Sequence, residues 1–596
     1  MSVATAKTWG AEVTDGGVRF RLWAPSASSV RLVLTDRNET IAMQCLEGGW
    51  YECTQASAGD GTRYRFEIDG DLVVPDPASR FQPDGLDGPS LVVDPARFSW
   101  PHVAWSVPAF DRLVFYELHV GTFTPEGTYA GVQERLGYLR ELGVTAIELM
   151  PLAEAPGAGN WGYDGVLLYA PTSRYGSPDD LKRLISAAHA CGIAVFLDVV
   201  YNHFGPQGNY LSCYARQYFT NRRKTPWGDA IDYTSPQNDP VRRYAIENAR
   251  YWLTEYRFDG LRLDAVHAVL DDDRHSFLRA LAAEAKAAAD RTVYLVLEND
   301  ANEADLLADG YDAQWNDDVH HALHVTVTGD ATGYYSDFAS DPVRLLGRAL
   351  TGGFAYQGEV SAFRGGVSRG SRSDRLPLRT FVNFLQNHDQ VGNRAFGERI
   401  TQLAPPEAVR AAAAIVLLAP SPPLLFMGEE WATSSPFLFF CDFEPELAGR
   451  VTEGRRNEFK EFPDFSDAAA RERIPDPNAA ATFRASALNW AELQSAGHRE
   501  WLEYFRGLLH LRRTHVVGKA ATVTGQASSF ELLGARALRA QWRLDDRTVL
   551  HMDANLSGLP TGRFARRLPG NAFFPAHDGD YEDGLAPPWS VRWSIA

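Results

Sequence analysis

Residues 192–205 read GIAVFLDVVYNHFG, an apolar run that ends in polar side chains. A strand that faces water on one side alternates apolar and polar residues, whereas a strand covered on both faces is apolar almost throughout. The run therefore predicts a buried strand of a parallel sheet. Asp198 stands near the end of this strand, and Asn202 and His203 follow in the next loop.

Further apolar runs of strand length lie on both sides of this one, with helical segments between them. The eight predicted strands are Leu113–Leu118, Val144–Met150, Ile193–Val200, Phe258–Leu263, Val293–Leu297, Tyr311–Trp315, Phe381–Leu385 and Pro423–Met427. Between them, Ser177 and Pro178 are typical of a helix N-cap and first turn, and residues 241–256 place apolar side chains at helical spacing. Eight strand–helix units predict an α/β fold built on a (β/α)8 TIM barrel, whose reactive groups collect at the carboxyl ends of its strands.

The chain on either side of the barrel carries short strands instead. Val18–Trp23, Val30–Leu34 and Arg63–Ile68 are separated by turn residues, which predicts a β-sandwich. The predicted domains are an N-terminal β-sandwich at 1–95, the catalytic barrel at 96–517 with a long insertion after its third strand at about 203–239, and a small C-terminal β-domain at 518–596.

The composition argues against several classes of partner. The formal net charge is −18 and no basic run offsets it, so neither a nucleic acid nor a membrane surface is expected as a partner.

Five scattered cysteines without metal-ligand spacing favour the reducing cytoplasm. The N-terminus has no secretory signal, and three prolines interrupt the most hydrophobic segment, residues 411–428, which predicts a buried helix and strand rather than a membrane span.

Charged side chains stand at the ends of three predicted strands. In FDGLRLDAVH, Arg262 and Asp264 are two residues apart and share one face of the fourth strand, where the arginine is expected to hold the carboxylate ionised. Glu298 follows the apolar run of the fifth strand, and desolvation there would raise its pKa, which suits a general acid. His388 and Asp389 end the seventh strand.

Each of these residues alone has an ordinary explanation, because an acid at a strand end often caps a helix and an Arg–Asp pair is often structural. Their joint position at one mouth of one barrel favours chemistry instead. Glycoside cleavage needs a carboxylate that attacks the anomeric carbon and an acid that protonates the leaving oxygen. Trp161 and Tyr163, in the GNWGYDG loop after the second strand, are candidates to stack on a glucose ring; the alternative is that they pack on the barrel rim.

Four segments carry a family resemblance. DVVYNH, GLRLDAVH, the Glu298 strand end and QNHDQ resemble the signature segments of the α-amylase superfamily, glycoside hydrolase family 13. The opening RLWAPSASSVRLVL resembles the carbohydrate-binding type of N-terminal sandwich that isoamylases, branching enzymes and trehalohydrolases share. NWGYDGVLLYAP, NHDQVGNRAFGER and FMGEEWATSSPFLFFCDF are most similar to segments of the malto-oligosyltrehalose trehalohydrolases, and the resemblance covers nearly the whole chain.

The resemblance implies a retaining glycoside hydrolase that cleaves the α-1,4-glucosidic bond next to the terminal trehalose unit of malto-oligosyltrehalose and releases trehalose. It implies Asp264 as nucleophile, Glu298 as acid/base and Asp389 as the third carboxylate, which holds hydroxyls of the reacting sugar. The substrate-binding residues that it implies are His203, Arg262, His388, Tyr163 and, as a further aromatic, Trp161.

The resemblance also bears on cofactors and partners. In many secreted relatives an asparagine at the position of Asn202 helps to bind calcium, but no acidic cluster accompanies it here, so no metal and no cofactor are expected. The expected partners are malto-oligosyltrehalose and related α-glucan oligosaccharides, and the expected enzyme is monomeric and cytoplasmic. The loop after His203 and the aromatic run Trp431–Phe443 are candidates for the wall that receives the trehalose unit.

Three alternatives stay open at this point. A glycogen branching enzyme shares the sandwich and barrel, but such enzymes usually have a serine where this chain has Asn387, and the Glu298-Asn299-Asp300 ending also departs from their pattern. A non-catalytic carbohydrate-binding barrel would typically have lost at least one acid, whereas all three acids are present. An isoamylase-type debranching enzyme is a weaker third possibility.

Overall fold

The computed structural model describes residues 8–101, 105–225, 228–234, 239–272, 275–460, 462–575 and 581–596. Eight parallel strands close into a barrel at its centre. These strands are Phe115–Leu118, Ala146–Leu149, Ala194–Val199, Gly260–Leu263, Tyr294–Leu297, Ala313–Trp315, Phe381–Phe384 and Pro423–Phe426. Each lies within the run that predicts it, so the expected TIM barrel is confirmed.

The interior of the barrel has an apolar layer and, above it, a charged one. Phe115 and Phe196 meet edge to face in the lower layer, with ring centroids 4.9 Å apart. Gly260 makes room for Phe196, because a side-chain Cβ at this position would lie 2.2 Å from the phenylalanine ring. Side chains two residues further along a strand point into the same interior, and there Glu117 and Asp198 replace the two phenylalanines. The reactive end of the barrel therefore begins one layer above its hydrophobic core.

Two antiparallel sheets form the N-terminal sandwich and meet through side chains such as Phe20 and Tyr64, whose ring centroids are 4.8 Å apart. One sheet contains Gly10–Thr14, Gly17–Trp23, Trp50–Gln55 and Gln44–Cys45, and the other contains Glu39–Ala42, Val30–Leu34, Arg63–Ile68, Leu72–Val74 and Ser90–Leu91. The segment between the last two of these strands, Leu72–Val74 and Ser90–Leu91, packs on the barrel, where Tyr244 donates a hydrogen bond of 2.6 Å to the carbonyl of Pro77.

The insertion after the third barrel strand is more regular than its sequence suggests. It contains the helix Leu211–Tyr214 and an antiparallel pair formed by Phe219–Thr225 and Gly228–Ile231. The first of these strands is mostly exposed and carries Arg and Lys, so it lacks the apolar alternation by which strands are recognised. Residues 226–227 and 235–238 of the insertion lie outside the described residues.

Helices cover the barrel, and a separate sheet follows it. The helices are Val120–Phe123, Tyr129–Leu142, Pro178–Ala190, Leu211–Tyr214, Asp239–Thr254, Ser276–Ala288, Ala304–Ala308, Asp317–Thr328, Pro342–Gly352, His388–Gly392, Ile400–Leu403, Pro406–Leu418, Pro445–Glu458, Ala468–Glu472, Ala480–Ala485 and Ala496–His515. The C-terminal sheet consists of Ser528–Gly534, Ala537–Arg543, Val549–Asn555, Ser590–Ile595 and Asn571–Phe574. Short antiparallel pairs join Ala153–Glu154 to Leu167–Pro171 and Glu359–Ser361 to Val367–Arg369. Among the described residues, no helix is both long enough and apolar enough to cross a membrane.

Candidate active site

The Arg262 guanidinium is the centre of a cluster of carboxylates at the mouth of the barrel. Its Nη1 donates to Asp198 Oδ2 at 2.6 Å and to Asp264 Oδ1 at 2.9 Å, and its Nη2 donates to Glu298 Oε2 at 2.7 Å. Arg262 is fully buried and lies over the ring of Trp315, 4.1 Å from the ring centroid. A charge with so little access to water needs such partners, since removing it from water costs several kcal/mol.

The backbone after the fourth strand also contributes to the cluster. Ala265 has a φ of 39°, in the left-handed region that residues with a side chain seldom adopt. In this conformation its N–H donates to Glu298 Oε2 at 2.9 Å. Strained backbone of this kind is concentrated at functional sites, and here it supplies a hydrogen-bond donor to the Glu298 carboxyl.

Burial and the arginine act in opposite directions on the two acids. Burial raises the pKa of Asp264, and Arg262 opposes that rise without cancelling it. The pKa of Glu298 is raised in the same way, as a general acid requires, again with Arg262 opposing. The arginine therefore favours the ionised form of Asp264, as the sequence predicts, but burial is the larger influence on the pKa in the free site.

His388 and Asp389 begin a short helix after the seventh strand, where the Asn387 side chain caps the helix by accepting from the Gln390 N–H. His388 Nε2 lies 3.4 Å from Asp389 Oδ1. Burial alone would lower the pKa of His388, but the carboxylates of Asp389 and Glu117 outweigh it and raise the pKa to about 10. His388 is therefore a buried imidazolium at neutral pH.

Tyr163 and His203 lie beside this cluster. Tyr163 donates to Asp198 Oδ2 at 2.6 Å, and its ring stacks on His388 with centroids 5.0 Å apart. His203 Nε2 lies 2.9 Å from the carbonyl oxygen of Tyr163, and burial lowers the pKa of His203 to about 4, so its imidazole is neutral. Asn202 donates to Asp264 Oδ2 at 3.1 Å. The structure thus brings together every polar residue that the sequence predicts for the site.

Trp161 has a different position. Its ring is 5% exposed and stacks on Phe437, with centroids 5.2 Å apart, and its Nε1–H donates to the carbonyl of Leu438. It also meets His388 edge to face at 5.6 Å. Trp161 therefore packs behind His388 and Tyr163. The sequence allows two roles for this residue, stacking on a sugar ring or packing on the barrel rim, and its position fits the second.

A cavity of about 180 Å³ adjoins Glu298 and Asp389. Asp317, Tyr334 and Phe363 also line it, and Tyr334 is 38% exposed. The aromatic run Trp431–Phe443, a candidate for the wall that receives the trehalose unit, does not line this cavity, and its Trp431, Phe437 and Phe440 are at most 1% exposed. Asp317 stands at the start of a helix and Tyr334 in a GYYSDF turn, and neither pattern in the sequence is specific to a binding site.

Glu117 and Glu148 are two interior carboxyl groups that the sequence reasoning missed. Both occur within buried strands, in FYEL and AIEL, and both are 1% exposed. A charged residue inside an otherwise apolar strand is the signal that could have found them. Among the described residues, no three His, Cys, Asp or Glu side chains are arranged to hold a metal ion.

Comparison with known proteins gives matches along the chain. The alpha amylase catalytic domain matches residues 93–233, carbohydrate-binding module 48 (the isoamylase N-terminal domain) matches residues 8–81, and a domain of unknown function matches residues 525–593. A malto-oligosyltrehalose trehalohydrolase of Deinococcus radiodurans is 46% identical over 83% of this chain and 81% of its own length. One of Saccharolobus solfataricus is 40% identical over 85% of this chain and 87% of its own length. The crystal structure of a Salmonella typhimurium protein described as an alpha amylase is 43% identical, covers 99% of this chain and 100% of its own, and has a TM-score of 0.92.

Proposed function

The chain belongs to the malto-oligosyltrehalose trehalohydrolases, glycoside hydrolases of the α-amylase family, and on that premise we propose that it cleaves the α-1,4-glucosidic bond next to the terminal trehalose unit of malto-oligosyltrehalose. The products are trehalose and a malto-oligosaccharide. The observation that carries the proposal is the binding of Asp264 and Glu298 by the single guanidinium of Arg262, which sets a nucleophile and an acid side by side at the barrel mouth.

In the proposed mechanism, the Asp264 carboxylate attacks the anomeric carbon while Glu298 donates its proton to the glycosidic oxygen of the departing trehalose unit. A covalent glycosyl–Asp264 ester results. The Glu298 carboxylate then takes a proton from water, whose oxygen attacks the same carbon and breaks the ester. Asp389, with His388 beside it, accepts hydrogen bonds from hydroxyls of the distorted sugar in both steps.

Substrate binding is proposed to divide between two parts of the site. His203, Arg262 and His388 surround the reacting glucose, Tyr163 stacks beneath it, and Trp161 supports the rings of His388 and Tyr163 from behind. The leaving sugar is proposed to occupy the cavity beside Glu298, because a general acid contacts the leaving oxygen. α-Glucan oligosaccharides are thus the proposed substrate class.

We expect hydrolysis with retention of anomeric configuration. In retaining enzymes the two carboxyl groups are about 5–5.5 Å apart, whereas an inverting enzyme needs roughly 6.5–9.5 Å to leave room for a water molecule on the opposite face of the sugar. Asp264 and Glu298 bind the same guanidinium, which fits the shorter spacing better. Proton NMR of the newly formed reducing end should show the α-anomer first, before mutarotation. Early appearance of the β-anomer would remove Asp264 from the role of nucleophile.

Product analysis tests the substrate. The enzyme should release trehalose from malto-oligosyltrehalose and act much more slowly on amylose and pullulan, because trehalose joins its two glucoses through both anomeric carbons and offers hydroxyls that maltose cannot place in the same way. Chromatography of the three parallel digests measures this. New α-1,6 branch points on amylose, with no trehalose from malto-oligosyltrehalose, would indicate a branching enzyme instead.

Three further properties are proposed on other grounds. The domain boundaries near residues 95 and 517 are supported by the sandwich strands, which end at Leu91, and by the C-terminal sheet, which begins at Ser528. A cytoplasmic location is supported by five scattered cysteines that are all free. A monomeric state is proposed because the reducing conditions of that compartment argue against a disulfide-linked dimer.

A further inference from the structure

Glu117, in the first barrel strand, holds His388 at two points. Its Oε2 accepts the backbone N–H of His388 at 2.9 Å, and its Oε1 accepts from the imidazole Nδ1. Both residues are 1% exposed, so these contacts are made away from water. The opposite ring nitrogen, Nε2, faces Asp389. His388 therefore lies between a carboxylate below it in the barrel and one at the mouth.

Glu148 is the strand neighbour of Glu117, since the two residues are directly paired between the first and second barrel strands. Neither Glu148 carboxyl oxygen has a hydrogen-bond partner among the described residues. Burial, followed by the charge of Glu117, raises the pKa of Glu148 well above its ordinary value, which favours the neutral form of this acid. Two glutamates at the same level of the barrel thus differ in their contacts, and of the two only Glu117 contacts His388.

Charged and titratable groups of several barrel strands, and of the loops and helix that follow such strands, lie near His388. They are Glu117, His119, Glu148, Tyr163, Asp198, Arg262 and Asp389. Arg262 and burial favour the neutral imidazole, and Asp389 and Glu117 favour the imidazolium. Without Glu117, Asp389 alone would have to offset both unfavourable influences.

We propose that Glu117 is a positioning residue that keeps a proton on both ring nitrogens of His388, so that Nδ1–H is donated to Glu117 while Nε2–H stays directed at Asp389 and a hydroxyl of the reacting sugar. The proposal rests on the proposed function, because it assigns His388 to the subsite of the reacting glucose. A neutral imidazole has one N–H only. If that single proton is on Nδ1 and is donated to residue 117, Nε2 becomes an acceptor and can no longer donate to Asp389 or to the substrate.

The test compares Glu117→Gln with Glu148→Gln. The second variant is a matched control, because it makes the same substitution in the strand neighbour of Glu117, which does not contact His388. kcat/KM on malto-oligosyltrehalose is measured from pH 5 to pH 8.5 and divided by the wild-type value at each pH, which removes the titration of Glu298 common to all three enzymes. In Glu117→Gln the pKa of His388 falls, so the imidazolium is present at low pH and lost as the pH rises through the lowered pKa.

The expected result is a Glu117→Gln ratio that falls about tenfold or more between pH 5 and pH 8, whereas the Glu148→Gln ratio stays within about twofold of a constant value. A Glu117→Gln ratio that does not change with pH, or an equal fall for Glu148→Gln, would overturn the proposal. If Glu117→Gln does not fold, Glu117→Asp keeps the charge, and its ratio should be independent of pH; a falling ratio would again overturn the proposal. A wild-type enzyme that releases no trehalose would instead refute the proposed function.

Discussion

Asp264→Ala, Glu298→Gln and Asp389→Asn are each expected to lower kcat by about 10³-fold or more, while the enzyme remains folded. The three side chains are 13%, 18% and 34% exposed, so they stand at the barrel mouth rather than in the core. Their loss removes the nucleophile, the proton donor or the hydroxyl acceptor, and leaves the apolar layer beneath them intact. Steady-state kinetics and thermal melts on the same preparations measure the two effects.

Asp259 provides the matched control, because it precedes the same strand as Arg262 and Asp264 but lies at its opposite end. It is fully buried and accepts from the indole of Trp105 and from the Val195 N–H. Asp259→Asn should therefore lower the melting temperature and leave kcat per folded molecule nearly unchanged. If one of the three acid variants kept turnover near that of the wild type, the role of that residue would have to be withdrawn.

Arg262→Met is expected to damage stability and activity together. Removing one partner from a buried ion pair costs about 3–5 kcal/mol, because the remaining charges lose their compensation. Arg262 compensates Asp198, Asp264 and Glu298 at once, so the pKa of each of these acids should rise further in the variant. Asp264 must be ionised to attack, and the acidic limb of the kcat/KM profile should therefore move to higher pH.

The stability of Arg262→Met should also depend on pH with a defined sign. Acids whose pKa is higher in the folded protein than in the unfolded chain bind protons on folding, so their contribution to stability is present at low pH and is lost as the pH rises. The loss of melting temperature relative to wild type should thus grow from pH 5 to pH 8. Arg592→Met, which breaks the buried pair with Asp553 in the C-terminal sheet, should destabilise without moving the activity profile. Equal profiles for the two arginine variants would argue against the electrostatic role of Arg262.

Local sequence was enough to predict the barrel and its three acids. Each strand is a short apolar run that is buried on both faces, and each of the acids follows such a run by a few residues. The pairing of Arg262 with Asp264 could be predicted because side chains alternate along a strand, which is a property of the extended backbone itself. Such features depend only on residues close together in the chain.

Tertiary structure alone decided the remaining features of the site. Glu117 and His388 are 271 positions apart, and they meet only because the first and seventh strands are brought together when the barrel closes. The burial of Trp161 depends on Phe437, far along the chain, and the net rise in the pKa of Asp264 depends on how completely the surrounding loops exclude water. The sequence by itself determined which chemical groups end each strand and which way they point, because backbone geometry is local. Only the tertiary structure could decide the distances between strands, the access of water and the resulting balance of charge. Each of these depends on residues that are far apart in the chain and meet only in the closed barrel.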